Sequence, residues 1–182
     1  MIPDQRKNFE AVLVANLSRA IDWIKFAEAK NAALVTLASA WMLAAATLSA
    51  NAVANAVPEL VGALTRGVPL MFISGAIAFA SFFPDLNLSA RFKRQPNPKS
   101  NFLFYEHLKT IQPARALSTL EGAYLDADDP GLLSRRYYDD LAVQIVVNSA
   151  IASRKFKMFR AALGFAGAAF VIFLYHFTIY LF

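Results

Sequence analysis

Three long stretches without a charged residue constrain this chain more than any other feature of its sequence. Residues 31–58, 67–84 and 161–182 contain no Asp, Glu, Lys or Arg. A helix needs about 20 apolar residues to cross the hydrocarbon core of a bilayer. The stretches therefore predict three transmembrane helices, which we place at about residues 31–50, 67–83 and 159–182.

The alternative of buried helices in a soluble protein fits the composition poorly. The 182 residues are 57% hydrophobic and only 17% charged, whereas soluble domains average about 45–50% apolar and about 25% charged residues. The rest of the chain is too short to cover three such helices, and this apolar content also excludes intrinsic disorder. Thirty residues that include Asp4, Glu10, Asp22 and Glu28 precede the first stretch, which argues against a signal peptide.

The second predicted span is the shortest of the three. Its 18 charge-free residues would extend about 27 Å at about 1.5 Å per residue, near the lower limit for crossing a bilayer. We expect Pro69 in the first turn of this helix, where proline is tolerated.

The basic residues predict an orientation. Five Lys or Arg residues precede the first span, Arg66 alone lies between spans one and two, and twelve lie between spans two and three. Because cytoplasmic segments carry the excess of basic residues, the N-terminus and residues 85–158 are predicted to be cytoplasmic. Basic flanks that favour anionic lipid explain the pI near 9.6, and nucleic acid is not needed as a partner.

The flanking segments are predicted to extend the outer spans as helices. Apolar residues recur every three or four positions in residues 8–30, and a similar stripe runs through residues 134–160. No proline or glycine separates either segment from its span. We therefore predict four parts: a cytoplasmic helix at residues 1–30 continuous with the first span, a transmembrane hairpin at 31–84, a cytoplasmic helical sensing region at 85–158, and a third transmembrane helix at 159–182.

Within the cytoplasmic region, residues 101–112 predict a short helix that ends at Pro113, and residues 114–125 predict another. Residues 126–131 form an acidic turn, and Ser134 is a candidate cap for the last helix. The predicted fold is an all-α membrane protein with three transmembrane helices, long cytoplasmic helical extensions and a small helical cytoplasmic region.

The chain carries no recognisable catalytic motif. It has no cysteine and only two histidines, and it lacks a P-loop, a dinucleotide fingerprint and metal-ligand spacing. Asp126, Asp128 and Asp129 could in principle hold a cation, but a solvated turn is the better explanation. Asp139 and Asp140 are expected to form i,i+4 ion pairs with Arg135 and Arg136 on a helix surface. We therefore predict neither an enzyme nor a bound metal or cofactor.

Basic and aromatic residues of the cytoplasmic region suggest an anionic ligand. Arginine can hold a phosphate through two parallel hydrogen bonds, and aromatic rings can stack on a base. An aromatic group at the interface beside lipid-facing basic residues is the competing explanation. The candidate ligand-binding residues are Arg91, Arg94, Lys99, Tyr105, His107, Arg135 and Arg136.

A second group of residues is a candidate for gating or helix packing. Asp22, Trp23 and Lys30 lie at the entrance of the first span, where Lys30 can also simply extend to the interface. Gly164 and Ala168 form a small-xxx-small pair suited to close helix contact within or between chains. His176 in the third span is a possible gating group, or a neutral histidine at the interface.

The chain resembles the Pycsar transmembrane effectors (PycTM) in three stretches that occur in the same order. Residues 21–33 (IDWIKFAEAKNAA) resemble the entrance to the first span, with Glu28 as a departure from the small polar residue expected there. Residues 101–107 (NFLFYEH) resemble an aromatic segment that ends in histidine. Residues 138–145 (YDDLAVQI), followed by RKF at 154–156, resemble the helix before the last span.

The resemblance implies an antiphage effector of the bacterial inner membrane. A partner nucleotide cyclase would make cyclic CMP or cyclic UMP, and the effector, as a homo-oligomer, would respond by opening a pore or disrupting the bilayer. Two alternatives remain: a membrane scaffold without ligand gating, and an effector that senses a cyclic oligonucleotide. A small transporter is disfavoured because inverted repeats are absent.

Overall fold

All regular elements in the described part of the chain are helices, which confirms the predicted fold class. The computed structural model describes residues 3–50, 58–83, 101–127 and 132–181. The elements are α1 (Pro3–Ala50), α2 (Pro58–Ala80), α3 (Tyr105–Leu108), a 3₁₀ turn (Pro113–Arg115), α4 (Ala116–Tyr124) and α5 (Arg135–Leu181). Helices α1, α2 and α5 are long and apolar enough to cross a membrane.

The two outer helices are continuous, as the absence of proline breaks predicts. Helix α1 runs for 48 residues and α5 for 47. Pro3 opens α1, where the missing N–H has no intrahelical partner to lose. Gly164 and Gly167 lie inside α5 without interrupting it, in line with the higher frequency of glycine in membrane helices.

The second span differs from its prediction. Helix α2 begins at Pro58 and includes Arg66, so Pro69 lies in the helix interior and the expectation that it occupies the first turn is wrong. A proline there removes the backbone hydrogen bond to the carbonyl of Thr65. Such residues are tolerated in membrane helices because neighbouring groups help to satisfy the backbone. The 23 residues of α2 are ample for a bilayer of about 30 Å.

The segment between α2 and α5 is less regular than the sequence suggests. Only the four residues of α3 are helical within the predicted helix at 101–112, and successive turns occupy its other described residues. The helix predicted after Pro113 is confirmed as the 3₁₀ turn and α4. An isolated antiparallel bridge joins Leu125 to Leu133. Residues 128–131 of the acidic turn lie outside the described residues.

The chain forms two compact units, and both α1 and α5 contribute to each. Unit 1 comprises residues 1–24 and 85–152, and unit 2 comprises residues 25–84 and 153–182. Each unit thus contains one part of α1 and one part of α5.

Unit 2 packs helices through small side chains. Its core is made from buried residues of α1, α2 and α5: Leu34, Met71, Ala78, Ala162, Ala166 and Ala169. On α1 the buried positions continue through Ala27, Asn31, Leu34 and Ala38, at alternating spacings of four and three. This spacing keeps one face of a helix against its neighbours. Small residues on such a face allow helix backbones to approach closely.

Two glycines of α2 mark where α1 comes closest. A Cβ atom on Gly67 would lie 2.9 Å from the Trp41 ring, and one on Gly75 would lie 3.0 Å from the Cβ of Ala38. Trp41 also donates a hydrogen bond from Nε1 to the carbonyl of Leu64, at 3.1 Å. The helices therefore pack closely at both glycines, and the Trp41 hydrogen bond links α1 to the backbone of α2.

Large apolar side chains cover the outside of unit 2. Leu43, Phe72 and Val171 are each more than 60% exposed. A soluble monomer rarely exposes a large apolar surface of this kind. The outward apolar residues therefore provide the lipid-facing surface that three membrane spans require.

Candidate functional site

Unit 1 contains a buried carboxylate, Asp140. It lies near the start of α5 and its side chain is 9% exposed. Tyr124 at the end of α4 donates a hydrogen bond from its hydroxyl to Oδ2 of Asp140, at 3.0 Å. The Nε of Arg136 lies 3.9 Å from the same oxygen. Asp140 thus has one hydrogen-bond donor and one nearby cation within unit 1, the kind of partners that a buried charge requires.

Aromatic rings surround this ion pair. Phe102 and Tyr124 pack edge to face with ring centroids 6.4 Å apart, and Tyr124 contacts Tyr137 at 5.5 Å. The guanidinium of Arg136 lies over the Phe102 ring, 5.5 Å from its centroid. The rings exclude water from Asp140 and add a cation–π contact to Arg136.

Burial shifts the acid–base behaviour of the pair formed by Asp140 and Tyr124. It raises the pKa of Asp140 despite the opposing effects of the Tyr124 hydrogen bond and the Arg136 charge. Burial also raises the pKa of Tyr124, and the hydrogen bond to Asp140 adds to this increase. Tyr124 therefore stays protonated and remains a hydrogen-bond donor.

Asn101 connects the segment after the second span to α5. Its Nδ2 donates to the backbone carbonyl of Asp140 at 3.1 Å, and its Oδ1 accepts from the N–H of Leu103 at 2.8 Å. The carbonyl of Asn101 lies 3.1 Å from Nδ1 of His107, which must carry the proton to donate there. His107 thus belongs to the structural support of the Asp140 cluster.

A separate pocket opens in unit 1 beside the first turns of α5. Its volume is about 610 Å³, within the range of about 300–1,000 Å³ for small-molecule sites. Leu13, Leu133 and Ala142 contribute apolar wall. The backbone around the pocket is held by bonds from the N–H of Asp126 to the Leu132 carbonyl and from the N–H of Ser134 to the Tyr124 carbonyl.

The pocket combines charged and aromatic side chains. The charged residues are Arg6, Asp126, Arg135 and Asp139, and the aromatic ones are Phe9 and Tyr138. The ring centroids of Phe9 and Tyr138 lie 6.2 Å apart. Nε of Arg135 is 3.2 Å from Oδ1 of Asp139, and the Arg135 side chain is 90% exposed.

Unit 2 contains a second buried charge, Lys155 of α5. Its ammonium donates to the carbonyl of Ser81 at 2.9 Å and lies 3.0 Å from a carboxylate oxygen of Glu28. The fully buried Asn31 donates from Nδ2 to the carbonyls of Ala27 and Lys155. Ser74 donates a further bond to the carbonyl of Ala162, at 2.8 Å.

The structure brings together only some of the predicted ligand residues. Arg91, Arg94 and Lys99 lie outside the described residues, and Tyr105 is described only as part of α3. His107 and Arg136 belong to the Asp140 cluster, whereas Arg135 lines the pocket. The expected i,i+4 ion pairs are confirmed for Arg135 with Asp139 and for Arg136 with Asp140. The expected location on the helix surface is wrong for the second pair, because Asp140 is buried.

The predicted gating residues lie in different surroundings. Asp22 and Trp23 are exposed in unit 1. The ammonium of Lys30 lies 4.5 Å from the ring centroid of Phe26 and 5.1 Å from that of Phe159. His176 is half-buried against Tyr175.

The small-residue pair faces away from the helix contacts of unit 2. Gly164 and Ala168 are exposed, and a Cβ on Gly164 would meet no atom of the described residues within 4 Å. The buried small residues of α5 are instead Ala162, Ala166 and Ala169. Contact of this pair with a second chain stays a prediction.

The sequence analysis did not predict the burial of several polar residues. Asp140, Lys155 and Asn31 each occupy a buried helix position. The helical spacing could have predicted the burial of Asn31, which lies four residues after Ala27 and three before Leu34. Lys155 likewise lies three residues after the buried Ala152.

No group of three or more potential metal-ligating residues occurs in the described ranges.

The fold and the surface of unit 2 define a helical membrane protein, and comparison with known proteins gives its family. The family model of the Pycsar effector protein domain matches residues 12–182. The Pycsar effector protein RsPycTM of a Rhizobium species is 33% identical over 153 residues, which cover 81% of this chain and 82% of the relative. No solved structure matches the chain significantly.

The chain belongs to the Pycsar effector family, which confirms the resemblance drawn from its sequence. It is therefore a membrane effector of antiviral defence.

Proposed function

We propose that this protein is an antiphage effector that a cyclic pyrimidine mononucleotide, cyclic CMP or cyclic UMP, switches on. The nucleotide, made by a partner cyclase, would bind in unit 1. The response would be the opening of a pore or the disruption of the inner membrane, which stops growth of the infected cell. The protein itself would act without catalysis or a bound cofactor.

The observation that carries this proposal is that α1 and α5 each belong to both units. Unit 1 holds a pocket with charged and aromatic walls, and unit 2 holds an apolar exterior suited to lipid. A ligand that binds two conformations of unit 1 unequally shifts the population between them. Because the two helices are covalently continuous, such a change has a direct route into the spanning helices.

The charge distribution supports an inner-membrane protein with a cytoplasmic N-terminus. Seventeen of the 18 Lys and Arg residues fall on one side of three spans, and Arg66 is the exception. On this orientation, unit 1 would meet a nucleotide made in the cytoplasm. Assembly of several copies would supply enough helices to line a pore, and Gly164 and Ala168 are available for such contacts.

Ion flux through a defined membrane tests the proposal. The full chain is reconstituted into liposomes of phosphatidylethanolamine and phosphatidylglycerol that hold a potassium diffusion potential. A voltage-sensitive dye then reports the potential after addition of cCMP, cUMP, cAMP, cGMP or a cyclic dinucleotide. Protein-free liposomes are the control.

We expect rapid depolarisation with cCMP or cUMP and none with the purine nucleotides. Depolarisation with the cyclic dinucleotide alone would contradict the proposed ligand class. A stable potential with every nucleotide, from protein shown to be folded and inserted, would contradict gating and favour a membrane scaffold.

A further inference from the structure

We propose that the pocket lined by Arg6, Phe9, Arg135 and Tyr138 binds the activating nucleotide, and that this nucleotide carries one negative charge and a base with a single ring. The identity of the ligand rests on the proposed function, whereas its location and charge come from the side chains of this pocket. The site differs from the set of residues predicted from the sequence, with which it shares only Arg135.

The two arginines supply the contacts for a phosphate. A guanidinium has five N–H donors and matches two phosphate oxygens at once. The contact between Arg135 and Asp139 uses Nε of Arg135, which is one of these five donors. Arg135 is also the first residue of α5, where the positive end of the helix dipole favours an anion.

The carboxylates set the charge of the ligand. Arg6 and Arg135 carry two positive charges, and Asp126 and Asp139 carry two negative charges, so these four side chains of the pocket are neutral together. A ligand with several negative charges would be repelled by the carboxylates. A cyclic phosphate diester has one negative charge, and a linear nucleoside monophosphate has close to two at neutral pH.

The same carboxylates can accept hydrogen bonds from the uncharged groups of a nucleotide. A carboxylate accepts hydrogen bonds from ribose hydroxyls and from the exocyclic amino group of cytosine. Asp126 and Asp139 are within the pocket that holds the two arginines. A small ligand can therefore place a phosphate on a guanidinium and a hydroxyl or amino group on a carboxylate.

The aromatic wall suits stacking on one face of a base. Phe9 and Tyr138 are 6.2 Å apart between ring centroids, which is within the range for rings in contact, about 4.5–7 Å. No base fits between two rings that touch. A base would instead stack on the outer face of one ring, and a pyrimidine covers such a face with its single ring.

Calorimetric titration of the detergent-solubilised full chain tests this site. The probes are cCMP, cUMP, linear CMP, CTP, uridine and inorganic phosphate. We expect one or both cyclic pyrimidine nucleotides to bind, CTP and linear CMP to bind at least tenfold more weakly, and neither uridine nor phosphate to bind measurably.

Three variants and one matched control locate the site. Arg6→Gln and Arg135→Gln each remove one charge-assisted contact, and we expect roughly 10- to 100-fold weaker binding. Tyr138→Leu removes the stacking face and should weaken binding by a similar factor. Arg19→Gln is the control, because Arg19 is an exposed arginine of α1 outside the pocket.

The outcomes separate this inference from the proposed function. Cyclic nucleotide binding that is unchanged in all three variants would overturn the pocket and leave the proposed function standing. CTP that binds as tightly as a cyclic nucleotide would overturn the charge argument. A folded wild-type protein that binds no cyclic nucleotide would overturn both.

Discussion

Helix α5 buries one charge in each unit, and the two charges are stabilised in different ways. Asp140 in unit 1 is held by the side chains of Tyr124 and Arg136. Lys155 in unit 2 is held by one carboxylate, Glu28, and by the backbone carbonyl of Ser81.

The difference follows from the size of the surrounding side chains. In unit 2, small residues such as Ala27 and Ala162 allow helices to pack closely, so backbone carbonyls come within reach of Lys155, Asn31 and Ser74. In unit 1, aromatic rings pack beside the Asp140 carboxylate, and the side chains of Tyr124 and Arg136 supply its partners. A buried charge therefore depends on named side chains in unit 1 and more on backbone geometry in unit 2.

The largest expected effect is on the side-chain cluster of unit 1. Asp140→Ala removes the acceptor of the Tyr124 hydroxyl and the carboxylate that lies 3.9 Å from Nε of Arg136, and breaking a buried ion pair in this way costs about 3 kcal/mol of stability. Thermal unfolding of the detergent-solubilised protein measures the loss. The matched control is Asp139→Ala, which removes an exposed ion pair and should cost less than about 1 kcal/mol. Equal losses would show that Asp140 is not specially placed.

The close approach of helices in unit 2 predicts a similar or smaller effect. Gly67→Ala would place a Cβ atom 2.9 Å from the Trp41 ring, and overpacking of this kind costs about 1–3 kcal/mol. Gly164→Ala, in the same kind of helix but with open space around it, is the control and should not lower the unfolding temperature, because alanine is the better helix former. A tolerated Gly67→Ala substitution would contradict the close contact of α1 and α2.

The buried carboxylate of unit 1 also predicts a pH dependence of stability. Because the pKa of Asp140 is raised mainly by burial, the folded state binds more protons than the unfolded state above about pH 4. The contribution of Asp140 is therefore complete below that pH and is lost as the pH rises through the folded-state pKa.

The experiment compares unfolding temperatures of wild type and Asp140→Asn over a pH series that starts at about pH 3.5, just below the ordinary pKa of aspartate. We expect the variant to lose part of the decline that the wild type shows as the pH rises. Identical pH profiles would mean that Asp140 titrates alike in the folded and unfolded states.

The smallest expected effect is on a single hydrogen bond to the backbone in unit 2. Ser74→Ala removes the bond from Ser74 to the Ala162 carbonyl, and such bonds in membrane proteins are worth about 0.6 kcal/mol. Thr36→Ala is the control, since the hydroxyl of exposed Thr36 donates to the carbonyl of Ala32 in its own helix. A loss above that of Asp140→Ala would reverse the comparison between the units.

The sequence by itself determined the helical class, the number of spans and the continuity of α1 and α5. Charge-free stretches of sufficient length leave a chain few options in lipid, because only a helix or a closed barrel satisfies the backbone there. The absence of proline after Pro3 in α1, and throughout α5, was enough to predict two long helices.

Only the tertiary structure decided which of several similar residues is buried. Asp139 and Asp140 are neighbours of the same type, yet the side chain of one is 43% exposed and that of the other 9%. A Cβ atom on Gly67 would lie 2.9 Å from the Trp41 ring, whereas one on Gly164 would have open space around it in the described structure. Local sequence gives a helix its faces, but the elements that pack against each face are distant in sequence, so burial and partnership follow from the assembled fold.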